Sequence, residues 1–320
     1  MYNAFDLLNT TCQSIFFTLP VYVNFQHKDE QIDTDMRIEV NGVRLWFDVE
    51  GAALQASEES LECRPTLILL HGGPGADHSV FKPLYSQLAN VAQIIYLDHR
   101  ANGRSEHGPR SHWTLEQWGK DIKSFCDALE IKKPVVLGLS FGGMVAQSYA
   151  TQFPDHPAAL ILLSTACVMD FEASYNAFER LGGSAARKAA ENYWSNPSDT
   201  AYATYQEICY PLYRKHPRFA ELHNTTLTHD AVALDFHRKA RSADGFDLRA
   251  DLHRITCPTL VVSGDDDPIT PPVCADTILA HLAPGVGRLE RFADAGHGVG
   301  QDGGDGYWAL LRGFVTEQVR

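Results

Sequence analysis

One serine of the chain lies in the pentapeptide GLSFG at residues 138–142, between an apolar run and a helix-like segment. A serine at a sharp turn from strand to helix has a strained backbone, and side chains two residues away on either side would collide there. Glycine at both of those positions removes the collision and leaves the Oγ atom exposed at the edge of a sheet. The motif predicts that Ser140 is a nucleophile.

A serine hydroxyl is a poor nucleophile at neutral pH, so it requires a general base, and the base requires an acid that orients it. On such a sheet the three residues follow in the order serine, acid, histidine, each after a strand. The strand-like run TLVVSG is followed by Asp265, Asp266 and Asp267, and the later run RLERF precedes a glycine-flanked His297. This order predicts His297 as the base and one of the three aspartates as the acid.

A glycine-rich turn, HGGPG at residues 71–75, follows another apolar run, TLILL. Such a turn can direct a backbone N–H toward the nucleophile, and the amide that follows the serine supplies a second donor. Two donors of this kind form an oxyanion hole, and the loss of one typically costs about 100- to 1,000-fold in rate. We therefore predict that the amides of Gly73 and Phe141 stabilise an oxyanion. A phosphate-binding loop is excluded because no Gly-Lys-Ser/Thr ending follows.

Together these motifs resemble those of the proline iminopeptidase-like (prolyl aminopeptidase-like) hydrolases, which are serine hydrolases of the α/β-hydrolase fold. The matching segments are HGGPG at 71–75, DHRANGRS at 98–105, GLSFGG at 138–143, Gly264 with Asp267, and Gly296 with His297. The resemblance covers about residues 36–165 and 250–320. It implies that Asp267, rather than Asp265 or Asp266, is the acid, with Ser140 and His297 completing the triad.

The sequence departs from the family pattern in two places. The loop at 98–105 reads DHRA where the peptidases usually read DQRG. Residues 170–250, which we interpret below as a lid, lack the Trp-Glu signature whose carboxylate holds the free N-terminus of a peptide in members of the family. Glu207 is the candidate substitute for that carboxylate, with an ordinary surface glutamate as the alternative. An aminopeptidase and a carboxylesterase or lactonase of small substrates therefore both remain open. A small-molecule receptor of the same fold is a third alternative, since fold alone does not decide function.

The candidate residues need elements that position them, and the apolar pattern supplies these. Continuous apolar runs at 66–70, 94–97, 135–139, 160–163 and 259–262 are typical of strands buried on both faces of a parallel sheet. A hairpin is predicted around Asn41-Gly42, and residues 51–64 read as a loop. A helical stripe after Thr114 comprises Leu115, Trp118, Ile122, Phe125 and Leu129. The alternation predicts an α/β class, with a mostly parallel, doubly wound sheet.

The interval between the fourth and fifth apolar runs contains no strand-like pattern and reads as helical. We interpret residues 170–250 as an inserted lid above the strand ends, where ligands of open α/β sheets bind. The sheet-forming core then comprises 36–169 and 251–320. Residues 1–35 are interpreted as an N-terminal arm or extension, whose apolar stretch at 14–25 is too short to span a bilayer as a helix.

Composition excludes other classes of protein. The 27 basic and 40 acidic residues of the 320-residue chain give a net charge of −13, which repels phosphate backbones and excludes a general nucleic-acid binder. The seven cysteines include no Cys-x-x-Cys pair, so neither a zinc site nor a disulfide scaffold is predicted. We expect a cytoplasmic protein with reduced thiols, no metal, no cofactor and no membrane span, acting on a small ester, amide or short peptide. The oligomeric state is left open.

Overall fold

An eight-stranded sheet is the centre of the computed structural model, which describes residues 36–56, 60–215, 226–242 and 245–318. Its strands are β1 (Arg37–Val40), β2 (Val43–Glu50), β5 (Thr66–Leu70), β6 (Gln93–Leu97), β7 (Val135–Leu139), β8 (Ala159–Leu163), β9 (Thr259–Gly264) and β10 (Gly287–Phe292). Two further strands, β3 (Leu54–Ala56) and β4 (Leu61–Cys63), pair with each other outside this sheet. The spatial order is β1-β2-β6-β5-β7-β8-β9-β10.

The sheet contains both antiparallel and parallel strand pairs. β1 and β2 are antiparallel and are joined at Asn41 and Gly42, whose φ angles of 48° and 74° suit a tight turn. β2 is also antiparallel to β6, whereas all pairings from β6 to β10 are parallel. The carboxyl ends of these parallel strands meet at one edge of the sheet, and the residues that follow them are therefore neighbours.

Each central strand is buried on both faces because helices cover the sheet from both sides. In β5, Leu67 and Leu69 belong to one apolar core, and Ile68 and Leu70 belong to the other. The covering helices are α1 (Leu115–Ala128), α2 (Phe141–Gln152) and α6 (Pro272–His281) on one face, and α7 (Val299–Asp302) and α8 (Gly304–Thr316) on the other. This arrangement confirms the predicted doubly wound α/β class.

Helix α1 forms where the apolar spacing predicts it. Thr114 caps its N-terminus, since the threonine side chain accepts a hydrogen bond from the Gln117 amide. The stripe facing the core is buried, and α1 packs along α2, the helix that begins directly after Ser140. The helix that follows Ser140 is therefore fixed against a second helix as well as against the sheet.

Helices connect β8 to β9. They are α3 (Phe171–Ser195), α4 (Asp199–Cys209) and α5 (Asp230–Arg241), with a 3₁₀ turn at Tyr210–Tyr213. This helical insertion has an apolar core of its own, rich in aromatic rings, which includes Tyr175, Phe178, Tyr193, Trp194, Tyr202, Tyr205 and Leu234. No strand occurs in its described residues.

One segment differs from the pattern expected of the sequence. Residues 51–64, read as a loop, contain the short ribbon of β3 and β4, whose side chains are exposed. Within the insertion, Gly183 interrupts α3 with a φ of 71°, so the helix bends there. The predicted arm at 1–35 lies outside the described residues. Among the helices that the structure describes, none is both long and apolar enough to cross a membrane.

Candidate active site

The turn at Ser140 is strained. Ser140 directly follows β7 and has φ 54° and ψ −118°, a conformation that is costly for a residue other than glycine. Two hydrogen bonds fix it: the Ser140 amide donates to the Leu163 carbonyl at 2.9 Å, and its carbonyl accepts from Thr165 Oγ1 at 2.6 Å. Both partners follow or end β8, so the neighbouring strand maintains the strained turn.

The glycines of the turn are required by close approach of the backbone. A methyl group on Gly142 would lie 2.0 Å from the Leu70 carbonyl oxygen, and one on Gly138 would lie 2.3 Å from the Gly142 carbonyl oxygen. No side chain fits at either position. Helix α2 therefore begins in direct contact with the end of β5, as the GLSFG spacing predicted.

Asp267 and His297 are brought together at the same edge of the sheet. His297 Nδ1 lies 2.8 Å from Asp267 Oδ2. The buried carboxylate of Asp267 also accepts hydrogen bonds from the amides of Ile269 and Thr270, at 2.8 and 3.0 Å, and from Thr270 Oγ1 at 2.8 Å. These donors hold the carboxylate in one orientation, and it in turn orients the imidazole.

The neighbouring aspartate has a different environment. Asp266 forms ion pairs with Arg180 and Lys215 on the helical insertion. The hydrogen bond from Lys215 holds the pKa of Asp266 below its usual value. Of the three consecutive aspartates, Asp267 is thus the one that contacts the histidine, while Asp266 attaches the insertion to the same turn.

The loop that carries His297 crosses over the end of β9. A methyl group on Gly264 would lie 2.3 Å from the Ala295 carbonyl oxygen, which also accepts a hydrogen bond from the Asp266 amide at 3.0 Å. This crossing directs His297 back from β10 toward the strands that precede it in the sheet. The ring of Tyr213 packs edge-on against the imidazole, with 5.5 Å between the ring centroids.

The HGGPG turn lies beside Ser140. A methyl group on Gly72 would lie 3.4 Å from Ser140 Cβ, so the two turns are in van der Waals contact. Gly73 and Gly75 have φ angles of 120° and 93°, a region that favours glycine. The Phe141 amide is the first of α2, and the first four amides of a helix have no partner within it. Gly72, the neighbour of Gly73, thus contacts Ser140, and Phe141 follows Ser140 directly in the chain.

His71 supports this turn and is electrically neutral. Burial lowers the pKa of its imidazole. Its Nδ1 lies 2.7 Å from the Gly72 carbonyl oxygen, and its Nε2 accepts a hydrogen bond from the His99 amide at 3.2 Å. With both ring nitrogens used by backbone groups, His71 acts as a structural residue of the loop.

A buried polar network holds the same turn from behind, and the sequence analysis did not assign its members. Asn102 Oδ1 accepts from the Gly75 amide at 2.6 Å. Asp98 accepts from the amide and Nδ1 of His78, both at 2.8 Å, and from the Arg104 amide at 2.8 Å. Burial raises the pKa of Asp98, but these hydrogen bonds outweigh it and hold the pKa below its usual value.

One buried cluster resembles a metal site, because a potential ligand atom from each of its three residues lies close to the other two. Its members are Asp77, His78 and Asp98. Arg104 Nη1 lies 3.0 Å from Asp77 Oδ2, and His78 donates to Asp98. Because the three side chains are already paired with one another and with Arg104, we assign the cluster to the support of the loop.

Glu207 is not brought into contact with the other predicted site residues. It lies on α4, whose buried face comprises Ala201, Tyr202, Tyr205 and Cys209, and its own side chain is exposed. Among the described residues it has no hydrogen bond or ion pair. Tyr213 and Arg214, which border His297, come from the insertion, where no motif marks them.

Comparisons with known proteins identify the family of the chain. Residues 65–302 match the α/β hydrolase fold family. The proline iminopeptidase PfmaB of Pestalotiopsis fici is 30% identical over 246 residues, which cover 73% of this chain and 83% of that protein.

Two solved structures have the same fold at 20% identity, and each is matched by 88% of this chain. The proline iminopeptidase of Mycobacterium smegmatis has a TM-score of 0.68 with 97% of its chain covered. The enol-lactonase of Burkholderia xenovorans LB400 has a TM-score of 0.66 with 99% covered. The fold, the hydrogen bond between His297 and Asp267 and these relatives lead to the same conclusion. The chain belongs to the α/β hydrolase fold family, as a serine hydrolase of the proline iminopeptidase-like group.

Proposed function

We propose that this hydrolase cleaves a small ester or amide through an acyl-enzyme formed on Ser140, without a cofactor. The observation that carries the proposal is the 2.8 Å hydrogen bond between His297 Nδ1 and Asp267, at the sheet edge where Ser140 occupies a strained turn. A proton on Nδ1, shared with the carboxylate, leaves the Nε2 lone pair available as a base.

The proposed reaction has two halves. His297 takes the hydroxyl proton while the Oγ of Ser140 attacks the acyl carbonyl, and Asp267 stabilises the imidazolium that forms. The amides of Gly73 and Phe141 hold the oxyanion, favoured by the positive end of the α2 dipole. His297 then protonates the leaving group, which departs. Water, deprotonated by His297, attacks the acyl-enzyme and releases the acid, and the hydroxyl of Ser140 regains its proton.

The test is a panel of aminoacyl 4-nitroanilides and short-chain 4-nitrophenyl esters, assayed side by side with the wild type and Ser140→Ala. We expect turnover by the wild type and its loss in Ser140→Ala, with an unchanged melting temperature, because only a small hydroxyl is removed. Near-normal rates in Ser140→Ala would end the assignment of the nucleophile. Ligand binding without repeated turnover by the wild type would support the receptor alternative.

Two substrate classes remain candidates. The curated relatives named as proline iminopeptidases favour an aminoacyl substrate. The exposure of Glu207 favours the second candidate, a carboxylesterase or lactonase of small substrates. A buried ammonium is costly unless a carboxylate pairs with it, and an exposed carboxylate is a weak partner.

We further propose that the protein works in the cytoplasm. The six cysteines in the described residues are free thiols, and five of them are buried. Burial raises the pKa of Cys126 and Cys274 to about 12, which keeps both as unreactive thiols. Free thiols persist in reducing compartments. Cell fractionation with an antibody against the chain checks the location, and recovery in an oxidising compartment would contradict it.

A further inference from the structure

Arg214 belongs to the helical insertion and lies against the turn that carries His297. It follows the 3₁₀ turn Tyr210–Tyr213 and has an extended backbone, with φ −138° and ψ 145°. The Tyr213 carbonyl oxygen accepts a hydrogen bond from the Gly298 amide at 3.3 Å, and a methyl group on Gly296 would lie 2.5 Å from the same oxygen. This part of the insertion is therefore in direct backbone contact with both residues that flank His297.

The side chain of Arg214 crosses the same turn. The residues on either side of it contact the same region: the Tyr213 ring packs on His297, and Lys215 pairs with Asp266. A methyl group on Gly298 would lie 3.2 Å from Arg214 Cγ and 3.5 Å from its Nε. The Arg214 side chain therefore lies against the residue immediately after His297.

The charge of Arg214 has no direct partner in the part of the chain that the structure describes. Arg100, Arg104 and Arg180 each pair with an aspartate. Arg214, which is half-buried, has neither a hydrogen bond nor an ion pair among the described residues. Burial lowers the pKa of its guanidinium, and the charge of Asp302 opposes this effect. Asp302 Oδ2 is itself occupied by the amides of Gly296 and Lys215, at 3.0 and 3.2 Å.

A partly desolvated guanidinium with free donors favours an anionic partner. Its planar fork of five N–H donors matches a carboxylate through two parallel hydrogen bonds. A lysine would supply a point charge without this geometry. The protein supplies no such carboxylate in the described residues. A carboxylate on a ligand would therefore replace the hydrogen bonds to water that the guanidinium loses on burial.

We propose that Arg214 binds a carboxylate on the leaving group of the substrate. The inference rests on the proposed hydrolase function, in which His297 hands a proton to the departing atom. Because the Arg214 side chain lies against Gly298, the residue after His297, we infer that its guanidinium is on the leaving-group side of the site. The substrate class is an acyl derivative of an amino acid or a hydroxy acid whose own carboxylate is free: a dipeptide with a free C-terminus, or an ester of a hydroxy acid.

The experiment uses matched pairs that differ in this one charge. The ester pair is 4-acetoxybenzoate and 4-acetoxybenzamide, and the peptide pair is L-alanylglycine and L-alanylglycinamide. We expect Arg214→Gln to lower kcat/KM for the acid member of the cleaved pair by about 10- to 100-fold, mainly through KM, and to change the amide member by less than about threefold. Arg214→Lys should restore part of the loss. Cleavage of the peptide pair identifies an amino acid as the leaving group, and cleavage of the ester pair identifies a hydroxy acid.

Arg288→Gln is the matched control. Arg288 lies on β10, is exposed, and its loss changes the net charge by the same amount. We expect it to leave both members of each pair unchanged. Equal losses for acid and amide in Arg214→Gln, or no loss for either, would overturn the proposal.

Failure of the hydrolase function would look different. In that case the wild type would cleave none of the four compounds, or Ser140→Ala would cleave them as fast. Titration calorimetry with 4-hydroxybenzoate and 4-hydroxybenzamide then decides the inference without turnover. We expect the wild type, but not Arg214→Gln, to bind the acid more tightly than the amide. Equal binding of the two compounds by the wild type would reject the carboxylate site.

Discussion

At the scale of single residues, the candidate site depends on which of three neighbouring aspartate side chains contacts His297. Asp265, Asp266 and Asp267 are consecutive, yet Asp267 is fully buried and bonded to His297, whereas Asp266 pairs with Arg180 and Lys215. One position along the turn therefore separates a group in contact with the proposed base from one that fastens the insertion.

Asp267→Asn tests this separation. An asparagine amide can donate to His297 Nδ1 and favour the wrong tautomer, so we expect kcat to fall by about 10⁴-fold, as in the triads of serine proteases. Steady-state and burst kinetics measure the effect. Asp266→Asn is the matched control and should reduce kcat by less than about fivefold, because Asp266 does not contact His297 and its ion-pair partners Arg180 and Lys215 are solvent-accessible. The reverse ranking would show that the assigned acid is wrong.

Glu207→Gln tests the aminopeptidase alternative. Because the carboxylate is exposed, an ammonium paired with it would gain at most about 1 kcal/mol. We therefore expect kcat/KM for alanine 4-nitroanilide to fall by less than about fivefold and that for 4-nitrophenyl acetate to stay unchanged. Parallel assays of the two substrates measure this. A selective loss of more than tenfold for the anilide would show that the ammonium contact is buried in the complex.

At the scale of elements, the site depends on how closely helix α2 approaches the ends of the strands. The Gly138 and Gly142 backbones occupy space in which no Cβ fits, and this spacing is visible in the sequence as GLSFG. The strained turn at Ser140 was therefore predictable. The position of Arg214 beside the His297 loop was not predictable, because contacts between the insertion and this loop follow no fixed spacing along the chain.

Gly142→Ala tests the close approach. Its methyl group would lie 2.0 Å from the Leu70 carbonyl oxygen, so the backbone must shift, and we expect a loss of about 1–3 kcal/mol in the free energy of unfolding. Gly313→Ala in α8 is the control, since a methyl group there meets nothing within 4 Å and should stabilise the helix by up to about 1 kcal/mol. Urea unfolding measures both. Equal stability of the two variants would contradict the argument.

The core of the insertion should be sensitive to acid. His237 on α5 contacts Tyr193 and Trp194, and burial lowers its pKa to about 3. Between pH 6.5 and 3 the unfolded chain therefore binds a proton that the folded chain does not, so stability falls as the pH falls through that window and is fully present above it.

His237→Gln removes this titration while keeping a polar partner for the Tyr193 hydroxyl. We expect the free energy of unfolding of the wild type to fall by about 1.4 kcal/mol more than that of the variant for each pH unit between 5.5 and 4.5. Urea titrations at several pH values measure the slopes. The exposed His281→Gln should keep the slope of the wild type. An unchanged slope in His237→Gln would mean that this histidine is not the acid-sensitive group.

At the scale of the whole molecule, the sequence predicted the sheet better than its surroundings. Strands β5 to β9 are buried on both faces, and strands of this kind consist of continuous apolar runs. These runs are visible in the sequence, so the strands could be predicted. The exposed ribbon of β3 and β4 has no such signal and was read as a loop. The order of the candidate triad was predictable because the strands that carry it are parallel and end at one edge. The division into arm, core and lid stays a prediction.

The three helices of the insertion differ in how they contact the proposed catalytic turns, and this difference has a consequence for engineering. Ser174 and Arg180 of α3 bond to the turn that carries Asp267, and Phe236 of α5 packs against Phe141. The described contacts of α4 are mainly with the aromatic core that it shares with α3. Libraries on the exposed face of α4 are accordingly the most direct route to new substrates from this scaffold, with α3, α5 and the residues on either side of His297 held constant.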